Sequence, residues 1–266
     1  MVSPPLINTL TVNSELTDKL ITTFREYPAS SNNFLVDSVQ KYGQGGTLNN
    51  YLYNSAYDSK LNVTGMVSLQ QPPLSMIWDY QSMYPVAKVA NAAPGNIAYT
   101  SFETTNTGNW TISGGAVNTL NAITGSKGYS LSSGNSITKS SITSGNYIVS
   151  YWSMNGSLLV NAGIGTSLLT KNGWTLYEHR LNNASAVSIA GTAVIDELRL
   201  YPALAQITTY TYDPLIGLTS QNDNRNNIVY YEYDGFNRLR RIRDADNHIV
   251  KMVDYQYQVP VQTTLP

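Results

Sequence analysis

Clusters of turn-forming residues recur about every ten residues along this chain, with short runs between them that alternate apolar and polar side chains. They fall at Gly43-Gln44-Gly45-Gly46, Gln71-Pro72-Pro73, Ala93-Pro94-Gly95-Asn96, Ser113-Gly114-Gly115 and Ser144-Gly145-Asn146. That rhythm leaves little room for helices and predicts an all-β chain built as a sandwich or barrel. One stretch, Glu15 to Phe24, has helical spacing but also alternates through Leu20, Thr22 and Phe24; its β-branched Thr22-Thr23 pair favours strand. Composition points the same way. The 266 residues include 20 Tyr against 4 Phe, and only 12% are charged. Tyrosine suits half-buried pleated surfaces, where the ring packs and the hydroxyl stays wet.

Several function classes are excluded early. A net charge of −1 offers no basic field to a phosphate backbone, so nucleic acid is not an expected partner. The absence of cysteine removes disulfides, thiolate metal sites and a cysteine nucleophile. Neither an export signal nor an apolar run of roughly 18 residues, the length that spans a bilayer, occurs in the chain. A secreted or cell-surface location is expected, with the signal outside this stretch.

Three segments follow from the pattern. Residues 1–96 hold extended pieces such as Tyr51-Leu52-Tyr53 and Met76-Ile77-Trp78-Asp79-Tyr80, with a thin core of their own. Residues 97–202 hold the best strands: Ala98 to Glu103, Gly128 to Leu131, Tyr147 to Met154, Trp174 to Leu181, Val187 to Ile189 and Val194 to Tyr201. In the third of these, Tyr147, Val149 and Tyr151 fall on one face and Ile148, Ser150 and Trp152 on the other, so both faces need cover. Residues 203–266 repeat themselves: Tyr210-Thr211-Tyr212-Asp213 returns as Tyr231-Glu232-Tyr233-Asp234 and weakly as Tyr255-Gln256-Tyr257-Gln258. Polar turns separate the copies. Each unit is a hairpin that cannot bury its own face, so neighbours are expected, including further units beyond one or both ends of the chain.

The copy Tyr231-Glu232-Tyr233-Asp234-Gly235-Phe236-Asn237-Arg238-Leu239 resembles the unit of the YD-repeat, or RHS, family of large bacterial surface and toxin proteins. Asn237 stands where that family has Gly, a swap a left-handed residue allows. The stretch Ile77-Trp78-Asp79-Tyr80, then Tyr84-Pro85-Val86-Ala87-Lys88-Val89, is similar to a strand of such proteins, so the middle segment reads as an insertion in a repeat array. That segment resembles galactose-binding-like jelly rolls, the fold of many carbohydrate-binding modules. The carrying residues are Ser101-Phe102-Glu103, Trp110, Gly128 to Leu131, Tyr147 to Trp152, Gly173-Trp174-Thr175 and Ile195 to Pro202. The resemblance implies a jelly-roll β-sandwich flanked by antiparallel YD-repeat hairpins, with a glycan and adjoining repeats of the parent chain as partners.

It also implies a structural Ca²⁺ shared by Glu103 and Asp196; the competing reading is two carboxylates hydrogen-bonded at strand ends. Trp110, Trp152, Trp174 and Tyr177 are the rings a sugar could stack on, though core packing is the commoner use. Trp152 is the better candidate, with Tyr177 and His179 sharing a weaker platform. Catalytic groups are sparse: His179 and His248 lie beside no nucleophile motif. Asp196 and Glu197, adjacent in a strand, are expected to diverge to opposite faces and so not to act as a glycosidase pair. Asp213 and Asp234 are expected to cap turns. The expected function is a non-catalytic surface scaffold whose sandwich binds glycans. The alternative is a purely structural shell segment of a polymorphic toxin or secretion-associated RHS protein, without glycan binding.

Overall fold

The structure, a computed structural model, describes residues 7–12, 15–27, 33–42, 48–69 and 71–256. The Gly43–Gly46 cluster and Tyr257-Gln258 of the third repeat copy lie outside them. The described residues form strands and one 3-10 turn, Pro94–Asn96, and the protein is all-β. Before the sandwich come β1 (Ile7–Val12), β2 (Glu15–Glu26), β3 (Phe34–Tyr42), β4 (Leu48–Tyr57), β5 (Val63–Ser68), β6 (Gln71–Asp79) and β7 (Tyr84–Ala90). The sandwich holds β8 (Ala98–Thr100), β9 (Thr111–Ser113), β10 (Ala116–Asn118), β11 (Gly128–Leu131), β12 (Ser136–Lys139) and β13 (Gly145–Ser153). It continues with β14 (Leu159–Val160), β15 (Gly163–Ile164), β16 (Thr166–Lys171), β17 (Trp174–Ala184), β18 (Val187–Ala190) and β19 (Ala193–Pro202). After it come β20 (Gln206–Asp213), β21 (Gly217–Asn222), β22 (Ile228–Tyr233), β23 (Leu239–Asp244) and β24 (Ile249–Met252).

The outer strands make one long antiparallel meander in the order β1 to β7, then β20 to β24. Strands β7 and β20 pair directly, Ala90 with Gln206 through Ala87 with Thr209, so the meander closes over the sandwich between them. Two local devices repeat along it. Tyr57, Trp78, Tyr212 and Tyr233 each stand directly before an Asp, 21 residues apart on either side of the sandwich (57 to 78, 212 to 233). Each ring donates its polar hydrogen to a carbonyl on the neighbouring strand: Tyr57 to Val36, Trp78 to Val63 at 2.8 Å, Tyr212 to Pro85 at 3.0 Å and Tyr233 to Leu218 at 2.8 Å. Tyr255, followed by Gln256 instead of an Asp, makes the same kind of bond to Leu239 at 3.0 Å.

The second device is the turn. The carboxylates of Asp58, Asp223, Asp234 and Asp244 each accept the backbone N–H groups two and four residues on, at 2.8–3.1 Å. The residue three on is left-handed: Leu61, Asn226, Asn237 and Asn247. This is a three-residue hairpin loop, a type I turn closed by a left-handed residue, which Asn tolerates. Asp213 opens a related turn, accepting from Leu215 at 3.0 Å.

Two expectations about boundaries fail for local reasons. Gln71-Pro72-Pro73 is not a turn but the start of β6; the prolines sit where the pairing with β5 skips register, so their missing N–H groups leave no gap in a regular ladder. Strand β8 stops at Thr100 rather than Glu103, because Phe102 is left-handed (φ 60°) and turns the chain out of the sheet.

The sandwich has two antiparallel sheets, β10-β11-β19-β13-β17-β16 with β8 beside β19, and β15-β14-β18-β12-β9. Between them lies a core that includes Tyr147, Val149 and Tyr151 of β13 with Ile137, Val187 and Ile189 opposite. The other face of β13 points away from this core and is covered by the long sheet. Ile148 packs with Val89, Ile97, Tyr201 and Ile207, and Trp152 with Ile123, Trp174, Leu176 and Ile228. The molecule is therefore three layers of sheet with two apolar seams, and a fully buried Ile97 or Ile207 stabilises the second seam by roughly 1.5–3 kcal/mol.

Candidate functional site

A cavity of about 790 Å³ opens where the sandwich meets the long sheet. It is walled by the β6–β7 turn, residues 103–106 after β8, residues 125–127 before β11, the start of the β20–β21 turn and Thr219 of β21. Asp79 follows Trp78 as Asp58 follows Tyr57, but its turn is rebuilt. Tyr80, Gln81 and Ser82 are all left-handed, with φ of 52°, 62° and 63°. Each such residue costs roughly 1–2 kcal/mol when it is not glycine, so the surroundings must hold the turn in place. They do. The Asp79 carboxylate accepts from Thr104 Oγ1 at 2.6 Å, Asn106 donates to the Trp78 carbonyl at 3.0 Å, and Asn62 donates to the Ser82 carbonyl at 2.7 Å. Backbone N–H of Tyr212 donates to the Tyr80 hydroxyl at 2.9 Å, and Tyr80 packs edge-on against Tyr84 and Tyr212.

Burial raises the Asp79 carboxyl above its ordinary range, against the lowering effect of its Thr104 and Tyr80 hydrogen bonds. It also raises the Tyr80 phenol, with Glu103 and Asp79 adding to the shift, and lifts Tyr212 to about 12. Both hydroxyls therefore stay protonated at neutral pH.

Beneath the cleft the loop 123–127 is gripped at both ends. Glu103 accepts the N–H groups of Ser126 and Lys127, both at 2.8 Å, while Asp196 accepts those of Ile123 at 2.9 Å and Thr124 at 3.0 Å. Asp196 and Glu197 do not diverge as strict alternation requires. A bulge opposite Tyr151, with Glu197 left-handed (φ 55°), leaves Ile195 and Leu198 facing the sandwich core and turns both acids to the other side. Glu197 accepts from Tyr99 at 2.5 Å, Thr124 at 2.8 Å, Thr209 at 2.7 Å, Asn222 at 3.2 Å and Arg199 at 2.8 Å. Arg199 in turn donates to the Asp223 carbonyl at 3.1 Å and to Asn226 at 3.2 Å. Burial would raise Glu197, but the Arg199 guanidinium and the hydroxyl donors hold it below its ordinary value; burial and the adjacent Glu197 hold Asp196 well above its own.

The residues singled out from sequence fall elsewhere. Trp152 is 1% exposed and lies in the seam between sandwich and long sheet, so it has no face to offer a sugar. Trp174 lies in the same seam, and Trp110 is in the sandwich core. Tyr177 and His179 do share a face, but it is turned inward: Tyr177 packs on the sandwich core and stacks on Tyr151, and buried His179 bonds the Tyr151 hydroxyl at 3.1 Å through Nε2. Burial lowers His179 to about 4, which keeps it neutral. Of the predicted metal and ligand residues Glu103 alone reaches the cleft, where Asp213, expected as a turn cap, also lies. Alternation could not reveal this, because it identifies faces without saying what covers them.

Calcium wants six to eight oxygens converging on one point. Glu103 and Asp196 instead present their oxygens to N–H and O–H donors at opposite ends of one loop, and the Lys127 ammonium donates to the Glu103 carbonyl at 2.6 Å. These residues do not fit the ion. Asp244, Asp246 and His248 cluster at the surface, but as a repeat turn whose Asp246 already pairs with Lys171 at 2.9 Å.

No family model matches the chain, and no curated protein matches it. Among the described residues no helix is long and apolar enough to cross a membrane.

Proposed function

We propose that this chain is a non-catalytic scaffold segment of a secreted or cell-surface YD-repeat protein, in which a jelly-roll sandwich is built into the repeat sheet as a rigid side layer. The single observation that carries the reading is the direct pairing of β7 with β20 across the sandwich, with the same aromatic-Asp device on both sides. A module tethered by flexible linkers would not need its outer face covered, whereas here Ile148 and Trp152 are buried against the long sheet. Edge strand β24 leaves Ile249, Val250 and Met252 exposed, a surface that a further repeat of the parent chain would cover.

A non-catalytic reading is supported by how the candidate groups are held: three are buried, and the cleft carboxylates Asp79 and Glu103 are turned toward separate N–H and O–H donors. Glu197, Asp196 and His179 are all buried, and each is engaged by hydrogen bonds. Calorimetric unfolding of the full chain tests the scaffold reading: one cooperative transition is expected from layers that share seams. Two independent transitions would refute it.

A further inference from the structure

We propose that the apolar tips of three neighbouring turns at one end of the long sheet, Met83, Leu215 with Ile216, and Phe236, form an edge that dips into the interface of an electroneutral lipid bilayer. This goes beyond the scaffold reading, which concerns how the layers are joined.

The hairpins β6–β7, β20–β21 and β22–β23 follow one another in the sheet, so their turns lie side by side at the same end, roughly 10 Å apart. They are tied into one row: the Tyr84 hydroxyl donates to the Pro214 carbonyl and Asn237 to the Leu215 carbonyl, both at 3.4 Å. Turn tips are ordinarily polar, yet Leu215 is 88% exposed, Phe236 81%, Met83 57% and Ile216 39%. The loop itself does not ask for this. Phe236 stands two residues after Asp234, and in the same loop at the opposite end of the sheet Arg225 stands two after Asp223 and Asp246 two after Asp244. Leu69 and Leu204 are also exposed at that end, in connections that do not use this loop.

Shape and charge name the occupant. Four side chains on separate tips offer on the order of a few hundred Å², below the roughly 800 Å² per partner of a stable protein interface, so a second copy docked tip to tip gains too little. A fluid apolar phase takes separate projections without matching their shape, and a small apolar anchor suffices for reversible attachment, as a single acyl chain with an association constant of about 10⁴ M⁻¹ does. The carboxylates of these turns are drawn back from the tips, Asp213 onto the Leu215 N–H and Asp234 onto the Phe236 N–H and the Arg238 guanidinium. Tyr84, Tyr212 and Tyr233 stand half-buried just behind, at the level where tyrosines line a membrane interface. Arg238 is paired with Asp234, and among the described residues the row carries no basic cluster of the kind that seeks anionic lipid.

Flotation of the full chain with phosphatidylcholine vesicles tests the proposal. The wild-type chain should co-float, and a Leu215→Ser, Phe236→Ser double variant should bind at least tenfold more weakly with an unchanged thermal midpoint. Added phosphatidylserine should not strengthen binding. A second readout leaves the apolar tips intact. The chain has no cysteine, so one environment-sensitive dye can be placed by Gly235→Cys, where a Cβ meets nothing within 4 Å, or by Arg225→Cys at the opposite end. On phosphatidylcholine vesicles the dye at 235 should shift to the blue and be quenched by spin-labelled lipid, and the dye at 225 should do neither. No co-flotation, undiminished binding by the double variant, binding only with phosphatidylserine, quenching at 225 rather than 235, or a wild-type dimer in sedimentation that the double variant loses would each overturn the proposal.

Discussion

The turn after Trp78 and the turn after Tyr233 begin from the same two residues, an aromatic ring and an aspartate, and end differently. At Asp234 the carboxylate closes its own loop, accepting from Phe236 and Arg238, and only Asn237 is left-handed. At Asp79 the carboxylate is taken by Thr104 of the sandwich, and three residues in a row are left-handed. The repeat thus relaxes where it runs free and is reshaped where the sandwich leans on it. The same contrast holds for charge. Beyond the sandwich, Glu232 pairs with Arg241 and Arg243 at a half-exposed surface, whereas under it Glu197 and Arg199 pair in full burial.

Four measurements would break or sharpen that contrast. The largest effect is expected from Arg199→Ala, which strands Glu197 among its donors; removing one partner of a buried pair costs about 3–5 kcal/mol, readable by urea denaturation. A loss below about 1 kcal/mol, the range of an exposed pair, would erase the distinction between the regions. Next, Gln81→Gly should stabilise and Asn237→Ala destabilise, each by about 1 kcal/mol, because glycine relieves a left-handed residue and alanine creates a strained one. No gain from Gln81→Gly would mean the rebuilt turn stores no strain. Glu232→Ala should cost less than about 1 kcal/mol, and its effect should shrink further in high salt.

The smallest effect is in pH, and its sign differs between the two turns. Arg238 and the turn N–H groups hold Asp234 at about 2, below its ordinary 3.8, so its stabilisation is complete above 3.8 and lost as pH falls toward 2. Burial raises Asp79 above 3.8, so its favourable contribution is present below 3.8 and lost as pH rises through the raised value. Calorimetry should therefore show Asp234→Asn lowering the midpoint at pH 6 but not at pH 2. Asp79→Asn should raise it at pH 6, an advantage that fades in acid. Parallel behaviour of the two variants would contradict the assignment.

Much of the fold is legible in local pattern. Gly128 to Leu131 is a strand as read, the stretch from Glu15 lies in β2, and the Tyr147-to-Trp152 alternation divides the two faces correctly. The Tyr-Asp recurrence at 210 and 231 is visible too, but its extension to Tyr57 and Trp78 is not. There the aromatic changes type, and the shared role is a hydrogen bond to a neighbouring strand. Of the predicted metal and ligand residues, only Glu103 reaches the cleft. Asp79, Tyr80 and Tyr212 stand in motifs visible in the sequence, but nothing local shows that they and Lys127, from segments up to 133 positions apart (79 to 212), meet in one cleft.

The sequence by itself determined that the chain alternates, where several of its turns fall and that both faces of β13 need cover. Only the tertiary structure decided what the cover is: the sandwich interior for Tyr151, Tyr177 and His179, and the long sheet for Trp152. A one-residue bulge at Glu197 also reversed the expected divergence of two acids. Alternation is set by backbone geometry within a few residues, while burial depends on surfaces brought together from opposite ends of the chain.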